Sequence, residues 1–122
     1  MEWGQIVLYS KNVKHLALFL ERLLDAEIDA EKTDVTIRHQ DFTLCLKEKN
    51  VKATDNAMAL ELFLQSEDEL KNMLQRAEFC QYGLEKEGVK LPTASWSRGK
   101  VEVIDPDGRV WTFLSKSKGR ER

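Results

Sequence analysis

An internal duplication constrains the fold of this chain more than any other feature of its sequence. The segment QIVLYSKNVKHLALFLER begins at Gln5, and the similar segment ALELFLQSEDELKNMLQR begins 54 positions later at Ala59. Similar residues occupy matching places, as in the pairs Leu8 and Leu62, Tyr9 and Phe63, Asn12 and Ser66, Leu16 and Leu70, Leu20 and Leu74, and Arg22 and Arg76. The chain therefore consists of two similar halves.

Each copy changes its hydrophobic period in the middle. Apolar residues alternate before Asn12 and before Ser66, as in a half-buried strand, and then recur every three or four positions, as in an amphipathic helix. Asparagine and serine cap helix N-termini by accepting a backbone N–H. Each half therefore begins with a strand and a helix. The predicted buried stripes are Val13, Leu16, Leu20, Leu23 and Leu24 in the first helix and Leu70, Met73, Leu74, Ala77 and Cys80 or Leu84 in the second.

Three strands are expected after each helix. In the first half they are AEIDAE, DVTIRH and FTLCLKE, and in the second they are GVKLP, GKVEVID and RVWTFLS. A DPDG turn joins the last two strands. Pro106 presets φ for the turn, Asp105 can accept a hydrogen bond from the backbone downstream, and Gly108 accepts positive φ. Each half thus has the order βαβββ.

This order predicts an α+β fold in one domain, residues 1–115. The first module covers about 3–48, a polar linker covers 49–57, and the second module covers about 58–115. Residues 116–122 are expected to form a disordered basic tail. A ferredoxin-like fold is the structural alternative, but it has two fewer strands.

Composition excludes several partners. The chain has 122 residues, of which 42% are hydrophobic and 33% charged, and its formal net charge is −2. Such a charge attracts neither nucleic acid nor an anionic membrane. No apolar run approaches the ~20 residues of a membrane span, and the start MEWGQ is unlike a secretory signal. We therefore expect a cytoplasmic protein in which Cys45 and Cys80 stay reduced.

Alternation divides each strand into two faces. The apolar set, expected under the helices, is Ile6, Leu8, Val35, Ile37, Leu44, Leu46, Leu60, Leu62, Leu64, Val101, Val103, Trp111 and Phe113. The opposite set mixes polar and aromatic residues and is Gln5, Val7, Tyr9, Thr36, Arg38, Thr43, Cys45, Lys47, Ala59, Glu61, Phe63, Lys100, Glu102, Val110 and Thr112. A solvated sheet face and the wall of a ligand cavity both fit this pattern.

The opening QIVLYSKNVKHLALFLERLL, the segment GVKLPTASWSRGKVEVIDPDGRVWTFL and the duplication between them resemble the vicinal oxygen chelate superfamily. That superfamily includes glyoxalase I, the bleomycin-resistance proteins and the extradiol dioxygenases. The resemblance implies two βαβββ modules that form a curled mixed sheet, a half-barrel with the helices on its convex face. It also implies a cavity on the concave face and, usually, a homodimer.

The resemblance also suggests where a metal would bind. In metal-dependent members a divalent ion binds vicinal oxygens of the substrate, and matching places in the two modules supply its ligands. Carried onto this chain, these places are Gln5, Cys45, Ala59 and Thr112. Alanine cannot bind a metal, threonine is a poor ligand, and cysteine beside glutamine is unusual for an oxygen-binding ion. We therefore expect no metal and no cofactor, although Glu61 and Glu102 could supply ligands if the register differs.

Other side chains on the concave face have alternative interpretations. Glu61 or Glu102 could act as a base if burial raised its pKa, or could be a surface carboxylate. Cys45 could be a nucleophile beside Arg38 or Lys47, or a buried inert thiol. Trp96 could stack on a ligand or plug the end of the half-barrel. His15 and His39 are expected to face solvent.

The sequence favours a metal-free protein of the glyoxalase and bleomycin-resistance type that binds a small organic molecule. The predicted ligand-binding residues are Gln5, Tyr9, Thr43, Cys45, Glu61, Phe63, Trp96, Glu102 and Thr112. One alternative is a metal-dependent lyase, isomerase or dioxygenase of the same superfamily. Another is an interaction module whose concave face contacts a protein. The pattern identifies neither the ligand nor any turnover.

Overall fold

The computed structural model describes residues 1, 4–31, 34–40, 42–50, 59–97 and 99–115. Two copies of the predicted element order follow each other along the chain. The first comprises β1 (Ile6–Ser10), α1 (Val13–Leu24), β2 (Glu27–Glu31), β3 (Asp34–Arg38) and β4 (Thr43–Glu48). The second comprises β5 (Ala59–Leu64), α2 (Glu67–Lys86), β6 (Ser95–Ser97), β7 (Lys100–Ile104) and β8 (Val110–Ser115). The expected α+β class with two βαβββ modules is confirmed.

One predicted strand is wrong. GVKLP contains no strand, and the second-module strand that follows the helix is the shorter β6. Gly88 takes a φ of 84° and ends α2, and the N–H of Val89 donates back to the carbonyl of Leu84 (2.9 Å). Pro92, which has no N–H to give to a sheet, follows in the connection. The predicted linker lies largely outside the described residues, and the predicted tail, 116–122, lies wholly outside them.

The two sheets have the same topology. Their strand orders are β1-β4-β3-β2 and β5-β8-β7-β6. In each sheet the first and last strands of the module are parallel neighbours, and the other pairs are antiparallel. The first strand of each module therefore lies at a sheet edge, and the last strand lies inside the sheet.

One hydrophobic core joins the two modules. All of the predicted inner strand residues belong to it or pack against it, together with the apolar stripes of both helices. The two helices therefore lie on the faces of the sheets that the alternation predicted. In the part of the chain that the structure describes, neither helix is long and apolar enough to cross a membrane.

Both predicted helix caps are confirmed. The side chain of Asn12 accepts a hydrogen bond from the N–H of His15 (3.2 Å), and that of Ser66 accepts one from Glu69 (3.2 Å). The first turn of α1 has no acidic residue, and Glu48 of β4 instead accepts a hydrogen bond from the N–H of Val13 (3.2 Å). A carboxylate at this end offsets the partial positive charge of the helix N-terminus.

The DPDG turn is built around the carboxylate of Asp105. Its Oδ1 accepts hydrogen bonds from the N–H groups of Asp107 (2.9 Å) and Arg109 (3.0 Å). Its Oδ2 accepts from Nη1 of Arg109 (2.7 Å) and from Nε1 of Trp111 (3.0 Å). Gly108 takes a φ of 86°, and its N–H donates to the carbonyl of Asp105 (3.0 Å). The predicted turn is therefore confirmed, and Asp105 also holds an arginine and a tryptophan.

The same turn binds the first module. Nη2 of Arg109 donates to the carbonyl oxygen of Tyr9, and the N–H of Lys11 donates to Oδ1 of Asp107 (3.0 Å). Asp105 and Arg109 are each only 1% exposed. A hydrogen-bonded, buried ion pair thus connects the β7–β8 turn to the junction of β1 and α1.

Removing the charge of Arg109 should destabilise the protein strongly. In Arg109→Met, the carboxylate of Asp105 stays buried without its cation, and we expect the free energy of unfolding to fall by about 3–5 kcal/mol. Urea denaturation measures this change. The matched control is Arg38→Met, because Arg38 pairs with Asp29 at 2.8 Å on the surface, where such pairs contribute about 0–1 kcal/mol. Equal losses in the two variants would contradict the proposed role of the buried pair.

Cys80 lies at the contact between the helices. It is fully buried, and its Sγ donates to the carbonyl oxygen of Phe19 in α1 (3.5 Å). Burial raises the pKa of the Cys80 thiol from 9.0 to about 11, while the positive charge of Arg22 acts in the opposite direction. The thiol therefore remains protonated in the folded protein at pH values at which the unfolded chain ionises.

Stability should consequently depend on Cys80 at high pH. Between pH 9 and 11 the folded state binds more protons at this thiol than the unfolded state, so its contribution falls as pH rises. We compare the free energies of unfolding of the wild type and of Cys80→Ala. We expect the wild type's value minus the variant's value to decrease by up to about 2–3 kcal/mol as the pH rises from 9 to 11. Urea denaturation from pH 7 to 11 measures the difference. A difference that stays constant through pH 11 would contradict the pKa shift.

Candidate functional site

The outer faces of the sheets, meaning the faces away from the helices, carry most of the predicted site residues. On the second sheet, Glu61 of β5 lies opposite Thr112 of β8, which lies opposite Glu102 of β7. Cross-strand partners share a face, so these three side chains form one row. Thr112 is only 6% exposed because strands flank it on both sides, whereas Glu61 at the sheet edge is exposed. The row thus presents a shielded hydroxyl between two carboxylates.

Phe63 extends this surface by one row. It lies opposite Leu114, which pairs with Lys100. Phe63 is 56% exposed, although phenylalanine is among the residue types most often buried. Lys100 is also near Glu102, with Nζ 3.8 Å from Oε2, but both side chains are largely solvated. The outer face therefore offers an uncovered aromatic ring beside a polar row.

The outer face of the first sheet is more closed at its centre. Cys45 lies between Val7 and Thr36 in one row, and it is only 4% exposed although it lies outside the main core. Its burial supports the interpretation of Cys45 as an inert thiol. The neighbouring cation Arg38 is engaged by the carboxylate of Asp29 (2.8 Å).

Tyr9 lies in the next row, opposite Lys47. It is 42% exposed, and Nζ of Lys49 lies 4.9 Å from its ring centroid. A cation over the ring face holds Tyr9 through a cation–π interaction. The ring therefore lies at the surface with a positive charge beside it.

Four of the predicted site residues line two neighbouring hollows. Gln5 and Thr43 line a hollow of about 420 Å³ at the start of β1 and β4. Glu61 and Phe63 line another of about 400 Å³ along β5. Both hollows are also bordered by Ile6, His39 and Phe42. Residues from both modules thus meet around the turn between β3 and β4.

Trp96 does not share the outer face with the other aromatic candidates. In β6 it lies opposite Val101, an inner residue of the core, whereas Ser95 lies opposite Glu102. A shift of one residue along a strand moves a side chain to the other face of the sheet. The strand pairing therefore places Trp96 on the helix side at the far edge of the second sheet, apart from Phe63.

Two residues near these hollows were not predicted as site residues. His39 was expected to face solvent, but it stacks on Phe42, with ring centroids 4.9 Å apart and planes 13° from parallel. Arg76 borders the hollow along β5. The sequence contained a signal for each. Phe42 follows His39 across a short turn, and Arg76 occupies the place in the second half that Arg22 occupies in the first.

The described side chains at the implied metal positions do not suit a divalent ion. Among the described residues there is no group of three or more histidine, cysteine or acidic side chains that could hold a metal ion. At the four implied places, Ala59 has no donor atom, and the hydroxyl of Thr112 lies between two strands. Hard cations need several oxygen ligands together, and softer ones need nitrogen or sulfur ligands that this arrangement does not gather. A metal centre of the kind found in metal-dependent superfamily members does not fit these side chains.

Two βαβββ modules with identical strand order define an α+β protein of the two-module, glyoxalase-like type. No protein-family model matches the sequence, and a comparison with curated proteins gives no significant match. Comparison with solved structures gives many matches.

Two fosfomycin resistance proteins and a possible glyoxalase are among these matches. The fosfomycin resistance protein FosX from Mesorhizobium loti has a TM-score of 0.67 and 9% identity, over 93% of this chain and 91% of that chain. A mutant of FosX from Listeria monocytogenes, complexed with Mn(II) and 1S,2S-dihydroxypropylphosphonic acid, has a TM-score of 0.63 and 15% identity, over 93% and 88%. A protein described as a "possible Glyoxalase" from Bacillus cereus has a TM-score of 0.61 and 17% identity, over 93% and 98%.

These likenesses extend over nearly the whole of each chain. They confirm the fold expected from the resemblance to the vicinal oxygen chelate superfamily. At such low identity they establish the fold alone, because one fold can carry many functions.

Proposed function

We propose that this protein binds a small organic molecule on the outer faces of its sheets without a resident metal, as a homodimer in the cytoplasm. The observation that supports this most is the row Glu61, Thr112 and Glu102 beside the exposed ring of Phe63. Binding sites commonly combine apolar and aromatic surface with a few convergent polar groups. This face has both components.

Each side chain has a definite part in the proposed site. The Thr112 hydroxyl can donate or accept a hydrogen bond, whereas the carboxylates of Glu61 and Glu102 only accept. Phe63 offers a ring face to a planar or apolar part of the ligand. Gln5 and Thr43 of the first module add amide and hydroxyl groups. A ligand with an apolar ring and several N–H or O–H donors suits this set.

A second copy of the chain would enclose the site. Tyr9 and Phe63, on the outer faces of different modules, are both largely exposed in one chain. An outer face laid against that of a partner would bury these aromatic rings, which are enriched in protein interfaces. It would also shield the polar row from water, which strengthens its hydrogen bonds to a ligand.

The second candidate function is a metal-dependent enzyme of the same fold. One observation favours it, namely that a structural neighbour is complexed with Mn(II). In this chain Glu61 and Glu102 would have to supply the ligands, and Thr112 separates them in the row. The donor set therefore favours the metal-free function.

Native mass spectrometry of protein purified without a chelator should test both parts of the proposal. We expect the mass of two chains with no stoichiometric metal. The matched variant is Ala59→His combined with Thr112→Glu, which adds two donors to this face. Because three carboxylates and an imidazole are suitable ligands for Mn²⁺, we expect only the double variant to retain added Mn²⁺.

A thermal-shift screen of the wild type with small aromatic compounds should identify ligands, because binding to the folded state raises Tm. Binding on the outer face predicts that Thr112→Val reduces such a shift. Stoichiometric zinc, nickel, iron or manganese in the wild type, lost together with an activity on chelation, would instead establish the metal-dependent enzyme.

A further inference from the structure

The packing of the core is incomplete along β5. In β7 and β8 the inner residues Val101, Val103, Trp111 and Phe113 are almost fully buried. The inner residues of β5 pack against the same core, but they are only partly buried. They are Leu60, Leu62 and Leu64. Protein interiors are normally close-packed, so a row of partly exposed leucines marks a place that another group can fill.

The space beside these leucines is the hollow of about 400 Å³, here called the β5 cleft. Ile6 of β1 and Phe42 border it from the first module, and Trp111 and Phe113 form its floor. Its volume is within the range of small-molecule sites, roughly 300–1,000 Å³. An apolar molecule in the cleft would remove the leucine side chains from water.

Two basic side chains lie at one end of the β5 cleft. Arg76 and His39 border it, and they also border a second hollow of about 540 Å³ that contains Arg38. Within the described part of the chain, the polar contact of Arg76 is one long hydrogen bond from Nη1 to the carbonyl of Leu23 (3.4 Å). A guanidinium has five N–H donors, so most of them are available to a ligand.

The acidic groups that border the two hollows are Asp25, Glu27 and Glu61. Of the two hollows, Asp25 and Glu27 border only the one of about 540 Å³, and Glu61 borders only the β5 cleft. Arg76 borders both hollows, so its guanidinium lies where they meet. A carboxylate placed there can form the two parallel hydrogen bonds for which a guanidinium is suited.

We infer that the β5 cleft binds an amphipathic monocarboxylate, with its apolar body against Leu60 and Leu62 and its carboxylate on Arg76. This site adjoins the outer-face site proposed above, because Glu61 and Phe63 also border the cleft. It differs from that site in its apolar wall, since the inner leucines and the row of Glu61, Thr112 and Glu102 point to opposite faces of the sheet. A short-chain or aryl carboxylate suits the size of the cleft.

Isothermal titration with 1-naphthaleneacetate and 1-naphthaleneacetamide tests this inference, because the two compounds have the same shape and differ in charge. We expect one site per chain and a Kd roughly tenfold lower for the carboxylate, as for a charged hydrogen bond worth about 1.4 kcal/mol. Arg76→Gln should remove the preference and leave amide binding unchanged. Leu60→Phe, which fills the cleft, should weaken the binding of both compounds.

Arg22→Gln is the matched control, because Arg22 occupies the same place in the duplicated helix but does not border the cleft. It should keep the preference for the carboxylate. Equal affinity for both compounds, an unchanged preference in Arg76→Gln, or no binding would overturn the inference. Glu102→Gln on the outer face should leave the affinity for both compounds unchanged. If Glu102→Gln changed the affinity and Arg76→Gln did not, the compounds would bind at the outer-face site instead of the β5 cleft.

Discussion

The ion pair between Asp105 and Arg109 is the interaction on which the arrangement of the two modules depends. A charge pair is expensive to remove from water, and it stabilises a fold only where further hydrogen bonds satisfy its atoms. Here the carboxylate also accepts from two backbone N–H groups and from Trp111, and the guanidinium also donates to Tyr9. Trp111 itself belongs to the hydrophobic core. The pair therefore connects the turn, the core of the second module and the backbone of the first module.

Its position explains why the two halves form one core. Tyr9 lies in β1 and Lys11 lies between β1 and α1, so the turn contacts the point where the chain passes from strand to helix. Cys80 and Phe19 join the helices at another point. With the modules fixed by their helix sides, Tyr9 and Phe63 remain exposed on the outer faces of the two sheets. The residues proposed to bind a ligand lie on these faces, and the β5 cleft lies where the common core is least complete.

Much of this arrangement could be predicted from local patterns. The change of period at Asn12 and Ser66 located both helices, because a cap and an amphipathic stripe are local properties of the sequence. Alternation assigned the strand residues to inner and outer faces, because the inner face of each strand is consistently apolar. The duplication aligned Gln5 with Ala59, so the metal-ligand positions that the resemblance implies could be located in both halves of the chain.

Other features depend on contacts between distant parts of the chain, which a local pattern does not contain. DPDG signals a turn, but its role in joining the modules requires Tyr9, about a hundred positions earlier. GVKLP has the apolar content of a strand, but the backbone at Gly88 and Pro92 leads the chain away from the sheet. The strand that replaces it is so short that no alternation marks its faces, and for this reason the sequence did not assign Trp96 to a face of the sheet. His39 and Arg76 gain significance only because the turn after β3 lies near α2.

From these contacts we infer that the buried ion pair makes the two modules one cooperative unit. Native-state hydrogen exchange of β1 and β4 in the first sheet and of β7 and β8 in the second measures this most directly, because it reports the free energy of opening for each strand. We expect a common opening free energy for the slowest amides of both sheets, and an equal decrease in both when Arg109 is replaced by methionine. Unchanged protection of the first sheet, with loss of protection confined to the second, would contradict it.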